Sequence, residues 1–421
     1  MRLPKIVTTL QDYSLPLFRA DLVAGITVAM VALPLSLAIA IASGADPAKG
    51  LVTAIVGGFF ISLLGGSRVQ IGGPTGAFIV VVYGVIADHG YDGLVLATFM
   101  AGILLLIGGY FRIGRLIRYV PEAVVNGFTI GIAIIIASSQ IKDFFGLQIS
   151  EVPADFLEKL PVLWEARDTA SLAASGLALV TLVMIVTLRR MAPAFPGLIV
   201  AVSLASLAVV LATLPVETIA SRFGALPNTL PLPALPSVTV ERVVELFPSA
   251  IVIAFLAGVE SLLSAMVADR MIEGSHRPNA EMLAQGTANI ASALFGGLPA
   301  TGAIARTATN VRAGGKTPVS GLVHALAILL IMLVAAPLAG YLALPAMAAL
   351  LVLTAWSMSE PHKWKSYLSA PMADRMLLLT TLILTVLIDL TVAIGVGVSI
   401  GLALRLRERK KQPDDWSMPE R

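Results

Sequence analysis

Cysteine is absent from the 421 residues, which excludes disulfides and thiolate metal sites. Histidine is scarce, and His89, His276, His324 and His362 lie too far apart to suggest a metal cluster. Charge is scarce as well: 13% of residues are charged against 57% that are hydrophobic. With a mean hydropathy of +0.89 the chain falls outside the range of soluble globular domains and reads as a membrane protein. The net charge of +3 reflects loop topology in a many-span protein, so no nucleic-acid partner is expected. The opening stretch MRLPKIVTTLQDYSLPLFRADL lacks a short apolar core followed by a small-residue cleavage site, and no removable signal peptide is read. No nucleotide-binding loop and no Ser-His-Asp arrangement can be assembled, so neither an enzyme nor a cofactor is expected.

What the sequence has in abundance is apolar runs near the roughly 20 residues that cross about 30 Å of hydrocarbon. Fourteen segments are read, near 20–43, 50–65, 70–87, 91–109, 119–141, 171–188, 195–214, 245–267, 279–296, 300–313, 318–336, 338–357, 372–388 and 389–406. Arg112, Arg189, Arg190, Arg270, Arg277, Lys363 and Lys365 gather in alternate loops, which places those loops and both termini in the cytoplasm. The expected organisation is a cytoplasmic segment 1–18, a first repeat 19–214, a proline-rich external linker 215–243, a second repeat 244–406 and a cytoplasmic tail 407–421. Seven spans per half is an odd number, so the second half is inserted upside down. The fold class is therefore an all-α polytopic membrane protein of two inverted seven-span repeats.

Corresponding spans of the halves are interrupted. GGFFISLLGGSRVQIGGPTGAFIVVVYG (57–84) and ANIASALFGGLPATGAIARTATN (288–310) both crowd glycine and proline into a span. Irregular backbone at membrane depth is tolerated only within protein or beside a cavity, and paired interruptions point to a transport site. Each is read as a short extended stretch followed by a half-helix, with Pro74 at an early helical position of the first. The half-helix N-termini would meet near the centre.

Arg306 lies eight or nine residues before Gly314 and Gly315, or about 12–14 Å at 1.5 Å per residue, close to the membrane midplane. It falls in the first turn of its half-helix, where the macrodipole is already positive. An anionic substrate held by backbone donors and the guanidinium explains such a residue. The competing arrangements are a pair with a buried carboxylate or a side chain that snorkels to the cytoplasmic face.

Glu260, in PSAIVIAFLAGVESLLSAMVADR, is also near mid-depth, with Ser264 on the same helical face. A carboxyl there suits a proton-coupled carrier; the alternative is a permanent Glu260–Arg306 ion pair. Asn126, His324 and Asp389 lie in or beside spans and read as interhelical hydrogen-bond partners or helix caps.

ADLVAGITVAMVALPLSLAIAIASGADPAKGL (20–51), SRVQIGGPTGAF, GFTIGIAIIIASSQIKDFFGL (127–147) and AIARTATNVRAGGKT (303–317) together resemble the sulfate permease (SulP) family of anion transporters over about residues 16–406. The resemblance implies the inverted seven-span repeats shared with uracil-permease-type transporters. Spans 1–4 and 8–11 would form a substrate-carrying core, and spans 5–7 and 12–14 a gate. It implies a substrate site at Thr75, Gly76 and Ala77 facing Ala305 and Arg306, with Ser36 contributed by span 1. Sodium-coupled relatives carry Asp and Thr where this chain has Glu260 and Ser264, and glutamate resembles the proton-coupled members. The family's usual Pro-Gln is Pro34-Leu35 here, and its usual cytoplasmic STAS domain does not follow the last span.

The function expected is secondary active transport of a small anion (sulfate, bicarbonate or a dicarboxylate) by proton symport in the inner membrane, with a homodimer as the family expectation. The alternatives are an uncoupled or sodium-coupled anion exchanger or channel, and a nucleobase permease of the same architecture.

Overall fold

The structure is a computed structural model that describes residues 3–112, 121–149, 152–153, 155–192, 196–388, 392–393, 395–397 and 399–401. A helix lies within each apolar window up to 372–388. The last window, 389–406, with Asp389, lies largely outside the described residues, and so does the tail 407–421. Among the described residues, seven helices are long and apolar enough to cross a membrane, from Leu15–Ala42 to Val319–Ala339; Gly197–Leu211 is a shorter apolar one.

The windows 70–87 and 91–109 hold two helices that meet at a kink: the run Ile79–Tyr110 has non-helical backbone at Gly90. Its φ of 70° is open to glycine without the Cβ clash an L side chain meets, so the chain turns there without a loop.

Local signals set the helix ends. Asp46 accepts the Ala48 amide at 2.8 Å ahead of Pro47, Ser171 accepts from Ala174, and Thr239 accepts from Arg242 to open the long Val240–Ile272 helix. Such caps satisfy amides that lack an intrahelical partner, and each contributes about 1 kcal/mol. Outward faces are apolar, as at Leu172, Leu211 and Val334, and suit a lipid surround rather than water.

The helices associate in two sets. In one, Pro278–Leu294 and Val240–Ile272 pack on Ile79–Tyr110, and Val319–Ala339 packs on Leu15–Ala42. Pro278–Leu294 and Ile79–Tyr110 approach almost backbone to backbone: a Cβ at Gly102 would lie 2.8 Å from the Gly286 carbonyl oxygen. Small residues permit that approach where no hydrophobic effect drives helices together. In the other set, Glu122–Ser139 packs on Met372–Leu387, and Leu344–Met358 packs on Leu172–Met191.

Both interrupted segments are extended where they cross. Strand β1 (Gly72–Gly73) pairs antiparallel with β2 (Thr301–Gly302), Gly72 opposite Gly302 and Gly73 opposite Thr301, and Ala303 N donates to the Ile71 carbonyl at 2.8 Å. Side chains satisfy the remaining irregular backbone. Asn289 accepts from Ala300 N at 2.9 Å and donates to its carbonyl at 2.8 Å, and Thr53 Oγ1 accepts from Leu298 N at 2.7 Å. Without these partners, buried peptide groups would each cost a full desolvation penalty.

Candidate functional site

After β1 the chain passes through Pro74 and Thr75 into a tight turn at Gly76–Phe78 and then the Ile79–Tyr110 helix. Pro74 therefore precedes the helix and does not occupy its first turn. Its carbonyl is turned toward a ligand-like role instead, accepting from Arg306. After β2, Ala303 caps the Ile304–Arg312 helix, so Arg306 does fall in the first turn. Among the described residues, the amides of Gly76, Ala77, Ile304, Ala305 and Arg306 have no acceptor within the chain. They are the orphan donors of two helix starts.

Arg306 is 1% exposed, so it does not snorkel. Its Nη2 donates to Ser36 Oγ at 3.1 Å and to the Pro74 carbonyl at 3.0 Å, while Nε and Nη1 are buried and have no partner. Two of the guanidinium's five N–H groups are thus used and three are not. No carboxylate lies within ion-pair distance of it among the described residues, so the permanent Glu260–Arg306 pair is not formed. Glu260 instead accepts a hydrogen bond from Thr75 Oγ1 at 2.8 Å. Gly73 makes room for the guanidinium, because a Cβ on it would meet Arg306 Nη1.

A cavity of about 930 Å³ joins these groups. Thr75, Gly76, Ala77, Ala305, Arg306 and Glu260 all line it, with Leu35, Ile39 and Asn126. From there it runs past Met266 and Arg270 to Glu360, Lys363 and Tyr367. Ser36 reaches the site only through Arg306. Ser264 is fully buried and shares a 3.2 Å hydrogen bond with Thr307 Oγ1, which also accepts from Ile71 N at 3.1 Å. Its position supports the crossing point rather than the cavity wall. His324 is buried with neither ring nitrogen partnered, contrary to its reading as a hydrogen-bond partner.

Sequence reasoning passed over a polar network beneath the site. Glu281, 0% exposed, accepts from Gly66 N at 2.8 Å, Ser67 N at 3.2 Å, Ser261 Oγ at 3.0 Å and Gln285 Nε2 at 3.0 Å. Gln70 Nε2 donates to Ser261 Oγ at 2.9 Å. Ser261 adjoins Glu260, so the network fixes the helix that presents that carboxylate. The signal was a second acid inside the apolar window 279–296, masked by its place at the window's edge.

Compared with known proteins, residues 18–381 match the model of the sulfate permease family. The chain belongs to that family. It is 44% identical over 383 residues to YvdB of Bacillus subtilis (strain 168), covering 91% of this chain and 72% of the relative. It is 32% identical over 386 residues to the bicarbonate transporter BicA of Picosynechococcus sp. (strain ATCC 27264 / PCC 7002 / PR-6), covering 89% of this chain and 68% of BicA. The solved transmembrane domain of a cyanobacterial BicA superposes with a TM-score of 0.81 at 29% identity, covering 91% of this chain and 99% of that one. This sulfate permease family member is accordingly a multi-pass membrane anion transporter and not an enzyme.

Proposed function

We propose that the chain is a secondary active carrier of a small oxyanion of the sulfate, bicarbonate or dicarboxylate class, driven by proton symport through alternating access. The observation that carries this reading is Arg306: a buried guanidinium with three unused N–H groups, no carboxylate partner, and a cavity shared with the open amides of two helix starts. An unpaired buried charge is strongly destabilising, and an anion in the cavity relieves it. The family's description as sulfate permeases and BicA's as a bicarbonate transporter support the substrate class.

The first set of helices acts as the core that carries Thr75, Gly76, Ala77, Ala305 and Arg306, and the second set acts as the gate against which it moves. In chain terms the core is spans 1–4 and 8–11, the gate spans 5–7 and 12–14, and the two halves are inverted repeats of seven. Both termini lie in the cytoplasm of an inner-membrane protein. The cavity, which reaches Arg270 and Lys363 in loops read as cytoplasmic, then represents the inward-facing state. Glu260 takes the proton. A proton bound to Glu260, whose carboxylate accepts from Thr75 Oγ1, leaves the loaded core with one negative charge fewer, which lowers the cost of moving it through a low-dielectric layer.

The test is uptake of labelled sulfate and bicarbonate into proteoliposomes with and without an inward proton gradient. Wild type accumulates anion only with the gradient. Arg306→Ala loses uptake by about 10-fold or more. Glu260→Gln loses gradient-driven accumulation yet still exchanges anion for anion. Uptake indifferent to both the gradient and the arginine would overturn the proposal.

A further inference from the structure

Arg306 is not the only buried cation. Among the described residues, the lysine and arginine side chains classed as buried are Arg306, 1% exposed, and Lys159, 4% exposed. Lys159 sits on the short Phe156–Glu165 helix in the long connection between spans 5 and 6. Its ammonium has no hydrogen-bond or ion-pair partner among the described residues and rests over the Tyr83 ring, 5.9 Å from the centroid. Burial lowers its pKa from the ordinary lysine value, against the pull of Asp155.

Like Arg306, Lys159 lines a cavity. This second cavity, of about 400 Å³, is bounded by the opposite stretches of helices that also border the first. Along Val240–Ile272 the first cavity touches Leu256 to Arg270 and the second touches Ser249 and Val252. Along Glu122–Ser139 the first touches Glu122 to Ile130 and the second touches Ile135 and Ser139. Buried Phe78 and Ile132 fall on the stretches between. The second cavity is thus on the far side of the Arg306 site. Its two carboxylates, Asp88 and Asp155, belong to exposed residues, and Asp155 is engaged capping Leu157 and Glu158. The buried charge of the cavity is the ammonium.

We propose that the second cavity is a staging site for a small oxyanion, with Lys159 as its cation and the Ser249 hydroxyl as a neighbouring donor. The proposal rests on the reading of the chain as an anion carrier built around Arg306. Two buried cations that lack a contacting ion-pair partner, on either side of one apolar layer, provide the same anion with successive holds.

Because the chain has no cysteine, Ser249→Cys places a single reactive thiol in this cavity. In detergent-solubilised protein, modification rates are measured with a negatively and a positively charged methanethiosulfonate reagent. With Lys159 present the anionic reagent is favoured, and millimolar sulfate or bicarbonate slows the reaction. Lys159→Met lowers the anionic-to-cationic rate ratio about tenfold, the scale of removing a unit charge a few ångströms away, and abolishes protection. Lys159→Arg retains both. Thermal unfolding of the Lys159→Met variant controls for misfolding. An unreactive thiol, a ratio unmoved by Lys159→Met, or no protection by either anion overturns the proposal. Arg306→Ala leaves the rate ratio at the introduced thiol unchanged, so failure of the central site is seen separately, in transport.

Discussion

Gly73→Ala tests whether the guanidinium's seat determines anion affinity. The φ of Gly73 is 149°, a region close to forbidden for L residues, and the added methyl would meet Arg306 Nη1. Holding alanine there costs about 1–3 kcal/mol of backbone strain. If the guanidinium withdraws, it gives up its hydrogen bonds to Ser36 at 3.1 Å and Pro74 at 3.0 Å and moves away from the anion. A hydrogen bond from a charged group is worth about 1.5–3 kcal/mol, and about 1.4 kcal/mol is a factor of ten in affinity. The KM for the transported anion, measured by initial-rate uptake in proteoliposomes, should therefore rise about 10- to 100-fold. The discriminating comparison is with Arg306→Ala: in that background the same methyl has nothing to displace, and KM changes by less than about twofold. A KM effect that persists undiminished without the arginine, or none when the arginine is present, would refute the reasoning.

Glu281→Ala strands the amides of Gly66 and Ser67 at about 1–3 kcal/mol each and leaves Gln285 only its bond to Ser261, so its unfolding temperature in detergent falls well below that of Glu281→Gln, which keeps an acceptor. Asn289→Ala frees both peptide groups of Ala300 and lowers thermal stability by a similar amount. Tyr13, ahead of the first span, donates to Asp21 at 3.1 Å, and burial together with that carboxylate pushes its phenol up to about 12. A raised pKa stabilises the fold below the ordinary tyrosine value and ceases to do so as pH rises through the folded one. The stability advantage of wild type over Tyr13→Phe should accordingly be full at about pH 8 and vanish between about pH 10 and 12. A difference that stays constant across that range would count against the contact.

The place of Arg306 in the first turn of a half-helix was legible because it rests on local arithmetic, small residues before it and a glycine pair after it, whereas the absence of an ion-pair partner was not, since the sequence left a pair with Glu260 open. Glu260 was legible for the same reason. The partners were not. Thr75 and Glu260 are 185 positions apart, and Gln70 and Ser261 are 191 apart, so no periodicity brings them together. Pro74 was placed in the helix because proline suits a first turn, but strand pairing at Gly72 and Gly73 holds the chain extended for longer. The boundary between the windows 70–87 and 91–109 was legible, but not that one positive φ at Gly90 makes it. Lys159 gave no signal, since a lysine in a long polar connection is ordinarily solvated, and its burial near the Tyr83 ring comes from tertiary packing.

The two-residue ladder between β1 and β2 bears on biogenesis. Its strands are more than 200 positions apart, so the ribosome releases Gly72 and Gly73 long before Thr301 and Gly302 exist. At about 5–20 residues per second, the nascent amino-terminal half waits on the order of ten seconds or more without the partners that β1 has in the folded protein. The isolated half should therefore be a ready substrate for proteolysis until β2 arrives to pair with it.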